Sequence, residues 1–184
     1  MHIRVDNLHV RPRNIEINEP VEAFSALVAL AEQGDVVFTG DVTGQLTVSM
    51  AGDIVRLEGR VAATVHVLCN RCLCELQRSL DIPVSLCYHQ ADVSPGAPDE
   101  DVEEVELTLR DMELIPYTGD EIDPEIELAQ ELIMALPQSV LCCDECAGLC
   151  PVCGCDLNVQ SCQCEKPVFH EGLARLKDLK IDQD

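Results

Sequence analysis

At 184 residues the chain suits one ordinary domain, or one domain with a small appendage. Its formal net charge of −22 repels phosphate backbones, which excludes broad electrostatic binding of nucleic acid and leaves only local or indirect RNA contacts. Aromatic residues are only 3% of the chain and Trp is absent, so a hydrophobic content of 47% predicts an aliphatic core.

The opening residues Met1 to Asp6 lack the apolar core of a signal peptide, and no run approaches about 18 apolar residues. The expectation is a soluble, cytoplasmic protein with no membrane partner. In a reducing compartment, the 12 cysteines are expected as metal ligands or reduced thiols rather than as disulfides.

Val21 to Glu32 carries Val21, Phe24, Ala26, Leu27 and Leu30 at loose helical spacing and is closed by Gly34, which predicts a short helix. From Gly40 the period changes to two. Val42, Gly44, Leu46, Val48 and Met50 alternate with polar residues; after Ala51-Gly52-Asp53, Val55, Leu57, Val61, Ala63, Val65, Val67 and Cys69 do the same. Two half-buried strands joined as a hairpin are expected. Leu76, Leu80, Ile82, Val84, Leu86 and Tyr88 continue the pattern in a third strand, and Pro83, which has no N–H to donate, must face an edge or a bulge.

Ala91 to Asp101 contains Pro95-Gly96-Ala97-Pro98 and reads as a loop. From Asp99 to Glu131 there are fourteen acidic residues against the single Arg110, a solvated face or a surface for a basic partner, and Val105, Leu107 and Leu109 alternate within it as a further strand. Asp123-Pro124 predicts a helix start, with Ile122, Ile126, Ala129, Ile133 and Leu136 as its apolar face and Pro137 as its stop. After Cys164, Phe169, Leu173 and Leu176 mark one face of a final helix, where Arg175, Lys177 and Lys180 form the locally basic tract.

The stretch Cys142 to Cys164 holds eight cysteines in 23 residues. Its Cys150-Pro151-Val152-Cys153-Gly154 turn is the form in which inward backbone amides hold two thiolates on one side, half of a tetrahedral site. Spacing groups Cys150, Cys153, Cys162 and Cys164 as one four-thiolate site, and Cys69, Cys72, Cys142 and Cys146 as a second that links the sheet to the C-terminal segment. Zinc suits four thiolates without redox chemistry, so one or two structural zinc ions are expected. Cys143, Cys155 or Cys74 can replace a neighbour in either set. Thioredoxin-type chemistry is disfavoured because Cys69 and Cys72 fall between antiparallel strands, and a closed all-cysteine site leaves no open position for catalysis. His2, His9, His66, His89 and His170 show no ligand spacing, and no phosphate loop, nucleophile elbow or carboxylate pair stands out. Neither an enzyme nor a small-molecule substrate is expected.

Taken together, the sheet ending in Cys69-Asn70-Arg71-Cys72-Leu73, the run Tyr117 to Asp123, Leu132 to Pro137, Cys146 to Gly154, Leu157-Asn158 and Cys162-Gln163-Cys164 resemble the bacterial YceD family, the large ribosomal RNA subunit accumulation proteins. The resemblance implies a non-enzymatic cytoplasmic factor for the accumulation of large-subunit ribosomal RNA, with precursor RNA or basic ribosomal proteins as partners. A zinc-dependent protein-interaction adaptor and a thiol-based redox or zinc sensor are the competing expectations. The fold expected is α+β: an antiparallel sheet that can curl toward a partly open barrel, one or two packing helices over residues 1–137, and a zinc-stapled, cysteine-rich segment with a C-terminal helix over 138–184.

Overall fold

The period-two stretches build the centre of the protein. In the computed structural model, which describes residues 2–5, 8, 11–34, 36–91 and 114–165, they become three long strands: β3 (Val36–Ala51), β4 (Ile54–Leu68) and β5 (Glu75–Gln90). The strand order of the main sheet is β2-β3-β4-β5-β6, with β2 at Arg13–Pro20 and β6 at Leu114–Tyr117. The antiparallel β3–β4 hairpin turns at Gly52-Asp53, with Ala51 opposite Ile54, and a register shift between Thr39 and Thr43 marks a bulge.

The expectation of an antiparallel sheet needs correction. Strand β6 runs parallel to β5, pairing Cys87 with Leu114 through Gln90 with Tyr117, so among the described residues the sheet is mixed and open and does not close into a barrel. Pro83 lies outside the part of β5 that pairs with β6, so its missing N–H removes no bond to that strand. A separate two-stranded sheet joins β1 (Ile3–Arg4) to β7 (Glu121–Ile122), and the Val5 N–H extends it to the Asp120 carbonyl.

Helix prediction over 21–32 is right in place but not in continuity. A 3₁₀ turn at Val21–Ala23 gives way at Phe24, whose φ of −103° and ψ of 95° are extended, to α1 at Ser25–Ala31. The Ser25 N–H at its start donates to Glu125 Oε1 at 3.3 Å. That glutamate opens α2 (Glu125–Met134), where the Asp123 carboxylate accepts the Glu125 N–H at 3.2 Å. The predicted apolar face of α2 holds at Ile122 and Ala129 and is corrected elsewhere. Leu128, Ala129 and Leu132 are buried, whereas Ile126 is 57% exposed and Ile133 only half-buried.

The core contains Leu27, Val42, Leu46, Val48, Val55, Leu57, Val61, Val65, Tyr88, Ile122, Leu128 and Leu132, all nearly fully buried. Each aliphatic side chain so buried stabilises by about 1.5–3 kcal/mol. Among the described residues the aromatics are spent inside: Phe24, Phe38, Tyr88 and Tyr117 are all buried.

The described residues divide into two compact units. One is drawn from Met1–Val67 and Leu76–Gln138; the other from Leu68–Glu75 and Ser139–Asp184. The second is thus assembled from two separate stretches, and the β4–β5 connection is one of them. Among the described residues no helix is long and apolar enough to cross a membrane. The strand expected around Val105 to Leu109, the Pro95-Gly96-Ala97-Pro98 loop and the helix expected after Cys164 lie outside the described residues.

Candidate metal centres

Two tight turns supply the first half of each cysteine cluster. In Cys69 to Cys74 the Leu73 N–H donates to the Cys69 carbonyl at 2.9 Å, and the Cys69 N–H donates to the Cys74 carbonyl at 2.9 Å. The turn from Cys150 to Cys155 repeats this: Gly154 N–H to Cys150 carbonyl at 2.9 Å and Cys150 N–H to Cys155 carbonyl at 2.8 Å. The fifth position must be left-handed. Gly154 meets that demand at φ +72°, but Leu73 adopts φ +59° with a side chain. Both turns therefore read Cys-x-x-Cys-x-Cys, which spacing of paired cysteines alone did not bring out.

The first turn is fastened to the later stretch by polar bonds inside the same unit. Asn70 and Val140 exchange two bonds, Asn70 N–H to the Val140 carbonyl at 2.8 Å and Val140 N–H to Asn70 Oδ1 at 3.3 Å. The Arg71 guanidinium donates to the Cys146 carbonyl at 2.9 Å, and the Arg71 carbonyl accepts the Leu149 N–H at 3.1 Å. Gly148, at φ +75°, passes so near that a Cβ there would lie 3.1 Å from the Arg71 carbonyl oxygen.

These bonds bring together all four predicted members of one set. The sulfurs of Cys69, Cys72, Cys142 and Cys146 lie within 4.8 Å of one another, as do those of Cys150, Cys153, Cys162 and Cys164. In the first centre Cys69 and Cys146 are 3.8 Å apart and Cys72 and Cys142 are 3.7 Å apart. A zinc–sulfur bond of about 2.3 Å gives a tetrahedral sulfur–sulfur edge of about 3.8 Å, so the pockets suit a tetrahedral thiophilic ion. Cys69, Cys72, Cys146 and Cys150 are buried, Cys142, Cys162 and Cys164 half-buried, and Cys153 exposed. The first centre is thus the more enclosed.

Backbone N–H groups aim at the sulfurs, as thiolate ligands require. The N–H of Cys72 does most to pull the Cys69 thiol down to about 6; the N–H groups of Arg71 and Cys142 assist while burial opposes. Cys150 falls to about 6 by the same device, through the N–H groups of Cys153 and Val152. For Cys146 burial pushes up, but the Asn158 amide, the Cys142 thiol and the Gly148 N–H together draw it below the usual thiol value. The partners move the other way. The Cys74 N–H favours the Cys72 thiolate, yet burial and the Cys74 and Cys69 thiols hold Cys72 up to about 12. Cys142 is raised by the Cys146 thiol and by burial, while the Cys153 thiol and burial push Cys155 and Cys164 up to about 12.

Kinship is decided by the sequence over the same region. The profile of the family described as large ribosomal RNA subunit accumulation protein YceD matches residues 57–180. The chain belongs to the YceD family. In this YceD-family chain the matched region includes every cysteine of both clusters. Uncharacterized proteins of Mycobacterium tuberculosis (Rv2926c) and Mycobacterium bovis (Mb2951c) are each 32% identical to it over 113 residues, which is 59% of this chain and 48% of the relative. The chain therefore spans about half the length of the curated relatives it matches. No solved structure matches it.

Asn158 is the site residue that cysteine spacing does not reveal. Its Nδ2 donates to Cys146 Sγ at 3.4 Å, and its Oδ1 accepts the Ala147 N–H at 2.8 Å. A residue between the members of the second cluster thereby supports a ligand of the first. The signal that could have found it is the pair Leu157-Asn158, one of the segments carrying the family resemblance.

Proposed function

We propose that this YceD-family protein is a non-enzymatic cytoplasmic factor supporting large-subunit ribosomal RNA accumulation, through processing of the RNA or assembly of the subunit, and that its eight clustered cysteines hold two structural zinc ions. The observation that carries the functional part is the family match over residues 57–180, which runs from the central strands through both cysteine clusters. What supports zinc is the donor set itself. Four sulfurs, with backbone N–H groups directed at them, suit a closed site that stabilises a fold and offers no open position to a substrate.

On this reading the ions are part of folding. A structural zinc site contributes on the order of 10 kcal/mol, and the second unit is drawn from two stretches that the first centre ties together. The partners are precursor ribosomal RNA or basic ribosomal proteins. An acidic run that includes the exposed Asp120, Glu121 and Asp123 suits the basic proteins better than bare RNA. The test is depletion of the protein followed by quantification of large- and small-subunit ribosomal RNA. Selective loss of the large-subunit RNA, restored by the wild-type chain and not by a Cys69→Ser/Cys72→Ser chain, is expected. Unchanged large-subunit RNA would sink the assignment.

A further inference from the structure

Two four-thiolate centres use eight of the twelve cysteines, and two of the remainder stand against the first centre. Cys74 Sγ is 3.4 Å from Cys72 Sγ, and Cys143 Sγ is 3.8 Å from Cys142 Sγ. Those two neighbours, Cys72 and Cys142, are the 3.7 Å pair that forms one edge of the centre, while Cys69 and Cys146 form the opposite edge at 3.8 Å. From Cys74 through Cys72 and Cys142 to Cys143, each successive separation is close to or shorter than the edge of about 3.8 Å expected for a tetrahedral zinc thiolate.

We propose that Cys74, Cys72, Cys142 and Cys143 form a second metal position that shares the Cys72–Cys142 edge with the first, making a binuclear six-thiolate zinc cluster. The inference rests on the first centre being a metal site. Each ion would have two terminal thiolates of its own, Cys69 and Cys146 for one, Cys74 and Cys143 for the other. Cys72 and Cys142 would bridge.

Charge favours the arrangement. One divalent ion among four thiolates leaves two negative charges uncompensated, and a second ion that brings two more thiolates leaves that total unchanged. The cost of the extra ion is therefore offset by the two thiols already beside it, each of which gives up its proton to solvent on binding. Exposure separates the two positions. Cys69, Cys72 and Cys146 are buried around the first, whereas the second has the half-buried Cys74 and the exposed Cys143 as its own ligands. The second ion is the more weakly held and more exchangeable one.

The test is zinc titration of the full, reduced chain followed by native mass spectrometry, with a chromophoric chelator as competitor. With the two centres filled, a third zinc is expected to bind and to be removed at least about tenfold more readily than the others. Cys74→Ser/Cys143→Ser should stop at two ions, and Cys143→Ser alone, at an exposed position, should weaken only the third. Cadmium NMR on the cadmium-loaded protein should show two signals coupled to each other through a shared sulfur. Saturation at two ions in the wild type, a third ion retained by the double variant, or uncoupled cadmium signals would each overturn the bridged cluster while leaving the two centres standing. Binding of fewer than two ions would overturn the centres themselves, and the cluster with them.

Discussion

Replacing Asn158 by alanine tests how the two halves of the cysteine-rich unit depend on each other. The substitution removes the amide that donates to Cys146 Sγ at 3.4 Å and the oxygen that accepts the Ala147 N–H at 2.8 Å. Outer-shell partners of metal ligands typically contribute 10–100-fold to affinity. Because Asn158 is exposed and water competes for the same groups, the expected loss lies at the lower end, about tenfold or about 1.4 kcal/mol. Asn158→Asp has nearly the same shape and keeps the acceptor, but it sets a carboxylate beside the Cys146 sulfur and beside Asp156 Oδ1, which the native amide meets at 2.7 Å. It should therefore lose more than alanine does, by about a further tenfold, since like charges at that range repel. Competition with a chromophoric zinc chelator, with ion stoichiometry followed by native mass spectrometry, reads both variants against the wild type. Affinities within about threefold of wild type, or an alanine variant weaker than the aspartate one, would refute the reasoning.

Leu73→Gly should raise the stability of the zinc-loaded protein by up to about 1.5 kcal/mol, since a left-handed leucine costs about 1–2 kcal/mol and glycine gives back about 0.5–1 in chain entropy; loss of stability on chemical denaturation would contradict it. Gly148→Ala should cost more than Gly154→Ala, because both are left-handed but only at 148 does a Cβ meet a backbone oxygen, at 3.1 Å. Equal losses would remove that close approach from the argument. Tyr88→Phe should change stability by less than about 1 kcal/mol, or increase it, because the buried hydroxyl, beside the Glu127 carboxylate, makes no hydrogen bond of good geometry among the described residues; a larger loss on thermal unfolding would show that it does. Zinc affinity of the first centre should fall as the pH falls. Metal-free Cys69, near 6, is mostly thiolate at neutral pH, and Cys146 is lowered against burial by the Asn158 amide, the Cys142 thiol and the Gly148 N–H, whereas Cys72, near 12, and the raised Cys142 hold protons. Because coupled thiols titrate as a set, binding there should release at least two protons, those of Cys72 and Cys142, and affinity should drop at least about a hundredfold per pH unit. A pH-independent affinity between about 6 and 8 would contradict this.

The β3–β4 hairpin was legible because one face of each strand is dry. Every apolar residue picked out in β4 from Val55 to Val67 is buried, and period two leaves no second way to place them. Strand β2 escaped notice for the opposite reason: only Ile17 among its eight residues is buried, so an edge strand of Asn and Glu has no alternation to show. Strand β6 has four residues and pairs in parallel with a strand distant in sequence, which local pattern does not encode. In α2 the stripe through Ile126 and Ile133 and the stripe through Leu128 and Leu132 both have helical spacing. Which of them faces inward is set by packing, not by period. The groupings of four cysteines came from turn chemistry and spacing, which left Cys143, Cys155 and Cys74 able to replace a neighbour. Their geometry, the bonds from Asn70, Arg71 and Asn158 that fix it, and the placement of Cys74 and Cys143 needed the three-dimensional chain.

The central claim is that sulfur alone surrounds the bound ions. X-ray absorption at the zinc edge of protein purified under reducing conditions tests it most directly. The expected spectrum is a single shell of four sulfurs at about 2.3 Å around each zinc. A shell containing nitrogen or oxygen at about 2.0–2.1 Å, or protein that carries no zinc at all, would contradict it.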